Sequence, residues 1–370
     1  MAARLTKLTL SGFKSIRRLD AFQPGNLTVL IGANGAGKSN LLSFFQILRN
    51  MMSSPKGLQA HLAQTGKAHS WLHDGPSNTH AIDAALTIQT PLGQSEYEFG
   101  LEFAAGDTLY FNRERFRHVP TESQGDDWID LGAGHDSCGL RDQAERGDQR
   151  QAEIRDMFLK FGNYQFHNTS STSRMRLDWP IENGRWLAED GHNLAAFLYR
   201  LKNDRSQAPY YARIVDTTRQ CLPFFADFVL EQGSYIRLAW QEVGTNEVFA
   251  AHQASDGMLR LMALVALLLQ PEEDLPDLLI LDEPELGLHP HAITTIAGLV
   301  KSVALEKQVI LATQSVTFLN EFGPQDIVVV DRRGRESIFR RLGPKELDTW
   351  LERYTVGELW EKNIFGGNPA

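Results

Sequence analysis

The chain has 370 residues, 42% hydrophobic and 22% charged, an ordinary globular composition with ample material for a core. Its net charge of −9 excludes a surface that attracts nucleic acid everywhere, though not a local basic patch. Its two cysteines, Cys138 and Cys221, lie far apart without metal-ligand spacing, so they imply neither a disulfide framework nor a zinc site and fit a reduced, cytoplasmic setting.

Taken in order, the N-terminal MAARLTKLTL lacks the apolar core of a signal peptide. Leu5 to Leu10 alternates as a strand does, and Gly12-Phe13-Lys14-Ser15 follows it. Leu27 to Ile31 is a short apolar run suited to a buried strand. A helix continues from Phe44 to Met52 until Ser53-Ser54-Pro55 breaks it. Gln59 to Asn78 reads as an irregular insertion. Ile82 to Gln89, Glu96 to Phe103 and Thr108 to Val119 read as an antiparallel β insertion, with turns at Pro91-Leu92-Gly93 and Ala105-Gly106-Asp107. Arg113, Arg115 and Arg117 share one face of the third run. That face reads as a solvated sheet surface, with a contact for nucleic acid or an acidic partner as the alternative.

Thr121 to Gln151 is polar and Gly/Asp-rich and is expected to be a flexible surface segment. A helix is expected over Ile154 to Phe161 and a short strand over Tyr164 to Phe166. Helices are expected over Gly191 to Lys202 and Tyr210 to Cys221, and a hairpin from Phe228–Glu231 with Tyr235–Glu242. Met258 to Leu269 is the longest apolar run. It carries Arg260 and is too short to span a bilayer, so no membrane association is expected.

The chemistry is concentrated in a few stretches. Gly32 to Ser39 reads GANGAGKS and matches G-x-x-x-x-G-K-[ST] at every fixed position. A strand before it and a helix after it are the context this motif needs. The backbone of Asn34, Gly35, Ala36 and Gly37 turns tightly and aims amides at a phosphate, with Asn40 just beyond. Lys38 supplies a point charge, and the Ser39 hydroxyl is placed to ligate Mg²⁺. Leu278 to Glu283 is an apolar strand ending in two acids, where ligands of parallel sheets bind. Asp282 suits Mg²⁺ support, and Glu283 suits orienting and deprotonating a water. Ala254-Ser255-Asp256-Gly257 opens the Met258 helix, with Ser255 or Asp256 as its cap. Gln308 to Thr313 is a further apolar strand, ending in Gln314-Ser315.

The order GANGAGKS, ASDG, LLILDEPELGLHP, ATQS resembles the ABC-type ATPases, and within them the soluble branch that includes SMC, RecF and OLD-like proteins. It is most similar to the compact AAA_21-type, SMC-like bacterial ATPases of that branch. The resemblance runs from GFKSI to VGELWEKN, nearly the whole chain. It implies an α/β P-loop fold of the ABC-ATPase kind: a mixed sheet lobe with an antiparallel β insertion, and a helical lobe carrying the signature motif. It divides the chain into a sheet lobe at 1–165 and 271–343, a helical lobe at 166–270 and a helical tail at 344–370.

The resemblance also implies ATP and Mg²⁺ as cofactors. Lys38, Ser39, Asp282 and Glu283 take the roles above. Lys14 and Ser15 border the nucleotide. Ser255, Asp256 and Gly257 touch the γ-phosphate held by a second copy, and Gly287 and His289 lie at the dimer seam. Two departures stand out. Gln314 occupies the place of a switch histidine; it can hydrogen-bond a γ-phosphate or the attacking water but cannot take a proton, so turnover is expected to be slow or partner-activated. The Q-loop is not obvious. His167-Asn168-Thr169-Ser170 is the candidate, with His167 also a metal-side candidate and a satisfied loop histidine the alternative.

The leading reading is an ATP-gated dimeric ATPase acting in DNA maintenance, repair or anti-phage defence. The alternative is a nucleotide-dependent scaffold that holds and triggers a separate nuclease or toxin. A transporter nucleotide-binding subunit is the remote third. Arg332, Arg333, Arg335, Arg340 and Arg341 form a candidate basic strip for DNA phosphate, with a solubilising hairpin as the alternative. Glu346 to Lys362 is expected to form helices that pack on the body or dock a partner.

Overall fold

The computed structural model describes residues 3–120, 127–343 and 346–367. The chain divides into two units, Met1–Gly162 with Gly323–Ala370, and Asn163–Phe322.

In the first unit Leu27–Ile31 is buried at all five positions. A strand apolar throughout needs cover on both faces, and this one pairs in parallel with Ile327–Arg333, which pairs antiparallel with Glu336–Arg341. The chain leaves the strand through the glycine-rich loop and enters the helix Lys38–Ser53 directly. A second sheet runs Ile16–Phe22, Arg4–Phe13, Ala81–Thr90, Gly93–Ala104, Thr108–Pro120 and Ile129–Gly132, all antiparallel. The β insertion thus continues the N-terminal hairpin. Between helix and sheet lies an aromatic cluster: Phe13 meets Phe44 at 5.8 Å and Trp71 at 6.2 Å, edge-on in both cases.

Several expectations change here. Gln59–Asn78 is not wholly irregular, because Gly57–Gln64 is a helix that buries Leu58 and Leu62. Within the expected flexible segment, residues 127–151 carry regular structure, with the strand Ile129–Gly132, the helix Gly139–Glu145 and the start of the helix Gln149–Leu159. Residues 121–126 lie outside the described ones. The order has a buried cause: the Glu114 carboxylate, fully buried, accepts from the amides of Gly139 and Leu140 and from the Tyr97 hydroxyl. Composition alone does not show that a distant strand caps this helix. Arg115 and Arg117 pair with Glu98 and Glu96 across the strand and lie against Trp128. Arg113 faces Asp83 at 3.5 Å. The solvated-face reading therefore fits these arginines.

In the second unit Leu278–Asp282 and Gln308–Thr313 pair in parallel, joined by the helix Pro290–Glu306. The helices Leu194–Asn203, Ala208–Cys221 and Asp256–Leu268 add further buried faces to the core. The short strand falls at Phe161–Tyr164 rather than Tyr164–Phe166. The hairpin is also re-partnered. Phe225–Phe228 pairs with Ala239–Glu242, whereas Tyr235–Ile236 pairs with Trp179–Pro180.

Candidate functional site

The phosphate loop is built wholly within the first unit. Gly37 holds φ 111°, and a Cβ there would sit 2.0 Å from the Ser337 Oγ, so only glycine fits. The helix from Lys38 has no side-chain cap, and the amides of Asn34, Gly35 and Gly37 meet no acceptor among the described residues. Lys38 is 6% exposed, and its Nζ donates to the carbonyls of Gly32 at 2.6 Å and Ala33 at 3.3 Å. A buried ammonium within reach of the loop's carbonyls, beside unmatched amides at a helix start, has the donor set of an anion site. These residues therefore fit a nucleotide phosphate.

The loop is braced by residues the motif does not name. Ser337 Oγ donates to Ala36 O at 2.5 Å and shares a hydroxyl–hydroxyl hydrogen bond of 2.7 Å with Ser15 Oγ, and Asn40 Nδ2 donates to Ser15 Oγ at 2.6 Å. Arg332 donates to Gly35 O at 3.0 Å, and Ala33 N to Gly367 O at 2.7 Å. Lys14 sits at φ 48°, a conformation non-glycine residues seldom adopt, and its Nζ reaches Ser43 Oγ at 2.8 Å. Burial pushes the Lys14 ammonium pKa down. A cavity of about 530 Å³ opens beside these groups, lined in part by Lys14, Ser15, Asn40, His69 and Arg332.

In the second unit the strand Leu278–Asp282 ends on Glu283, at φ 44°. The Glu283 amide continues the ladder to Ala312 O at 2.8 Å, and Gln314 Nε2 donates to its carboxylate at 2.7 Å. Gln314 therefore aims Glu283. Next to it, Thr313 donates to Glu285 Oε1 at 2.5 Å. Glu285 is buried, and burial raises its carboxyl from 4.5 to about 7. Ser255 caps the signature helix, accepting from Met258 N at 3.3 Å, while the Asp256 side chain is 61% exposed. Gly257 packs so close to the 286–288 turn that a Cβ would lie 2.4 Å from Gly287 O. His167 Nε2 donates to Asp282 O at 2.8 Å; that nitrogen carries the proton and is no metal ligand in this arrangement. Among the described residues no cluster of three or more His, Cys, Asp or Glu side chains is placed to hold a metal.

The basic strip is largely spent internally. Arg335 pairs with Asp74, Arg340 with Glu346 and the Phe365 carbonyl, and Arg341 with the Gln23 and Gln325 carbonyls. Period and charge in the sequence do not reveal these acceptors, several of which come from distant segments. Ser337, Arg332, Arg176, Arg260 and Glu285 are site neighbours that no motif spacing marks.

The chain belongs to the family described as AAA domain, putative AbiEii toxin, Type IV TA system, whose model matches residues 27–320. No curated protein matches it significantly by sequence. In fold it is similar to an SMC head bound to the C-terminal winged-helix domain of ScpA, at 15% identity over 93% of this chain and 99% of that one, TM-score 0.61. It is also similar to the Pyrococcus furiosus SMC head domain with an extended coiled coil, bound to the C-terminal domain of ScpA, at 15% identity, 95% and 99% coverage and TM-score 0.58. The corresponding Pyrococcus yayanosii head, with coiled coil and joint, matches at 11% identity, 95% and 99% coverage and TM-score 0.54. The protein is therefore an AAA-family ATPase by membership, with the α/β P-loop fold of an SMC head. No helix among the described residues is long and apolar enough to cross a membrane.

Proposed function

We propose that this protein binds ATP with Mg²⁺, hydrolyses it slowly, and closes into a head-to-tail dimer while ATP is bound, serving DNA maintenance or anti-phage defence. The observation that carries the reading is the phosphate loop, where the Nζ of buried Lys38 donates to the carbonyls of Gly32 and Ala33 beside the unmatched amides of Asn34, Gly35 and Gly37. When bound, ATP with Mg²⁺ supplies a phosphoanhydride whose charge the metal neutralises. Lys38 and the amides of Asn34, Gly35 and Gly37 bind and orient the phosphates. Ser39 and Asp282 hold the metal. Lys14, Ser15 and Asn40 border the cavity that takes the nucleoside. Glu283, aimed by Gln314, orients and deprotonates the water, and Gln314 itself takes no proton, which keeps turnover slow. Ser255, Asp256 and Gly257 serve the second copy; their support is the exposure of Asp256 and of Leu286 (44%) on that surface.

The test is the solution mass of Glu283→Gln protein with and without Mg²⁺-ATP, by light scattering. A doubling on ATP supports the sandwich. Unchanged mass with nucleotide bound removes the dimer reading. Lys38→Ala should lose ATP binding by more than about 100-fold, as expected when a charged phosphate donor goes.

The second reading, a regulator of a separate toxin or nuclease, rests on the C-terminal tail. Leu359, Trp360 and Phe365 are buried there, while Trp350, Tyr354 and Ile364 are 45%, 36% and 42% exposed. Such a face suits a partner. A tail variant with Trp350, Tyr354 and Ile364 replaced by serine should lose any stable partner recovered with the parent chain; a partner retained by that variant removes this reading.

A further inference from the structure

The carbonyls of residues 166–170 each accept a hydrogen bond from a side chain. Arg260 Nε donates to Phe166 O at 2.9 Å and its Nη2 to His167 O at 3.0 Å. Ser173 Oγ donates to Asn168 O at 2.6 Å. Arg176 donates to Thr169 O at 2.8 Å and Ser170 O at 3.0 Å. The same two guanidinium groups hold the signature region. Arg260 projects from the signature helix itself, and its Nη1 reaches Leu286 O at 2.7 Å. Arg176 donates to Ala254 O at 3.0 Å, to Ala251 O, and to Asp256 at 3.1 Å.

Both groups are buried, Arg260 at 8% and the Arg176 side chain at 9% exposure. Among the described residues the hydrogen-bond acceptors at the Arg260 guanidinium are the Phe166, His167 and Leu286 carbonyls and the Thr169 hydroxyl, with the Asp256 charge nearby. A buried cation bonded mainly to neutral dipoles adds little to stability, since burying a charge costs several kcal/mol. What it does provide is geometry. A guanidinium presents donors in one rigid plane, so segments that share it cannot slide past one another without breaking bonds.

We propose that Arg176 and Arg260 form a clamp that transmits displacement at the end of the Leu278–Asp282 strand to the start of the signature helix. The input is the His167 bond to Asp282 O at 2.8 Å. The output is the set Ala254 to Gly257, with Gly257 already seated on Gly287 O. Both arginines are positioning residues that never touch the nucleotide. The inference rests on the reading that the chain binds ATP.

The test uses hydrogen exchange on Glu283→Gln protein, at a concentration where light scattering reports a monomer, so that dimer contacts contribute nothing. Mg²⁺-ATP should slow exchange of the 254–260 amides by about tenfold. Adding Arg260→Lys should abolish that protection, while the affinity for a fluorescent ATP analogue and the melting temperature of the free protein stay close to the parent's. A merely structural arginine would lower the melting temperature and leave the nucleotide response in place. Arg176→Lys is the second variant, and it carries the test by itself if Arg260→Lys does not fold. Protection that survives both substitutions, or bound nucleotide that leaves these amides unchanged in the parent, overturns the clamp. Absence of nucleotide binding would overturn the ATP reading, and the clamp with it.

Discussion

Replacing Glu285 by glutamine should stabilise the protein at alkaline pH and leave it nearly unchanged in acid. Glu285 is 6% exposed, its Oε1 accepts from Thr313, and its Oε2 is buried with no hydrogen-bond partner among the described residues. Desolvation raises the carboxyl from 4.5 to about 7, with the nearby Glu283 and Asp282 pushing the same way. Because the folded-state value is raised, the stabilising contribution is fully present below pH 4.5 and is lost as pH rises through about 7. At roughly 1.4 kcal/mol per tenfold, the whole difference is about 3 kcal/mol, of which about 2.5 kcal/mol falls between about pH 5 and pH 8. Glutamine has the same shape and cannot ionise, so its curve lacks this slope. Denaturant unfolding of nucleotide-free parent and Glu285→Gln proteins across that range measures it directly. A stability difference that does not change with pH would refute the assignment of a raised carboxyl to Glu285.

Three further outcomes follow from the geometry. Gly257→Ala should cost about 1–3 kcal/mol, because its Cβ would meet Gly287 O at 2.4 Å, whereas Gly298→Ala, with open space around it in a helix, should gain about 0.5–1 kcal/mol; thermal melts of the two variants read the contrast. Lys307→Met should cost about 3–5 kcal/mol, since Lys307 Nζ sits 3.1 Å from Asp277 with both residues 8% exposed, and the double change with Asp277→Asn should recover much of that loss in a denaturant series. Gln314→Ala should lower the ATP turnover number about tenfold with KM nearly kept, as expected when a group that orients the base is removed; a KM rise at constant turnover would instead make Gln314 a binding residue.

Local pattern was enough for the strand Leu27–Ile31, the glycine-rich loop, the cap at Ser255 and the strands Leu278–Asp282 and Gln308–Thr313, because each is written in adjacent residues. Apolar continuity demands burial, glycines at fixed spacing permit the turn, and a hydroxyl before a helix satisfies its first amides. The family resemblance could be read from the same stretches. What the tertiary structure decided is who meets whom across long separations. Glu114, in the middle of the strand Thr108–Pro120, caps the helix Gly139–Glu145, which orders a segment whose composition alone reads as loop. Arg340 and Arg341 find acceptors at Glu346, Gln23 and Gln325, which occupy donors that their sequence spacing alone would leave for a ligand. Arg176 and Arg260 close on the 166–170 carbonyls only once the strand and the signature helix are in place. Hydrogen-bond partners for long side chains are set by packing in three dimensions, and no periodicity along the chain encodes them.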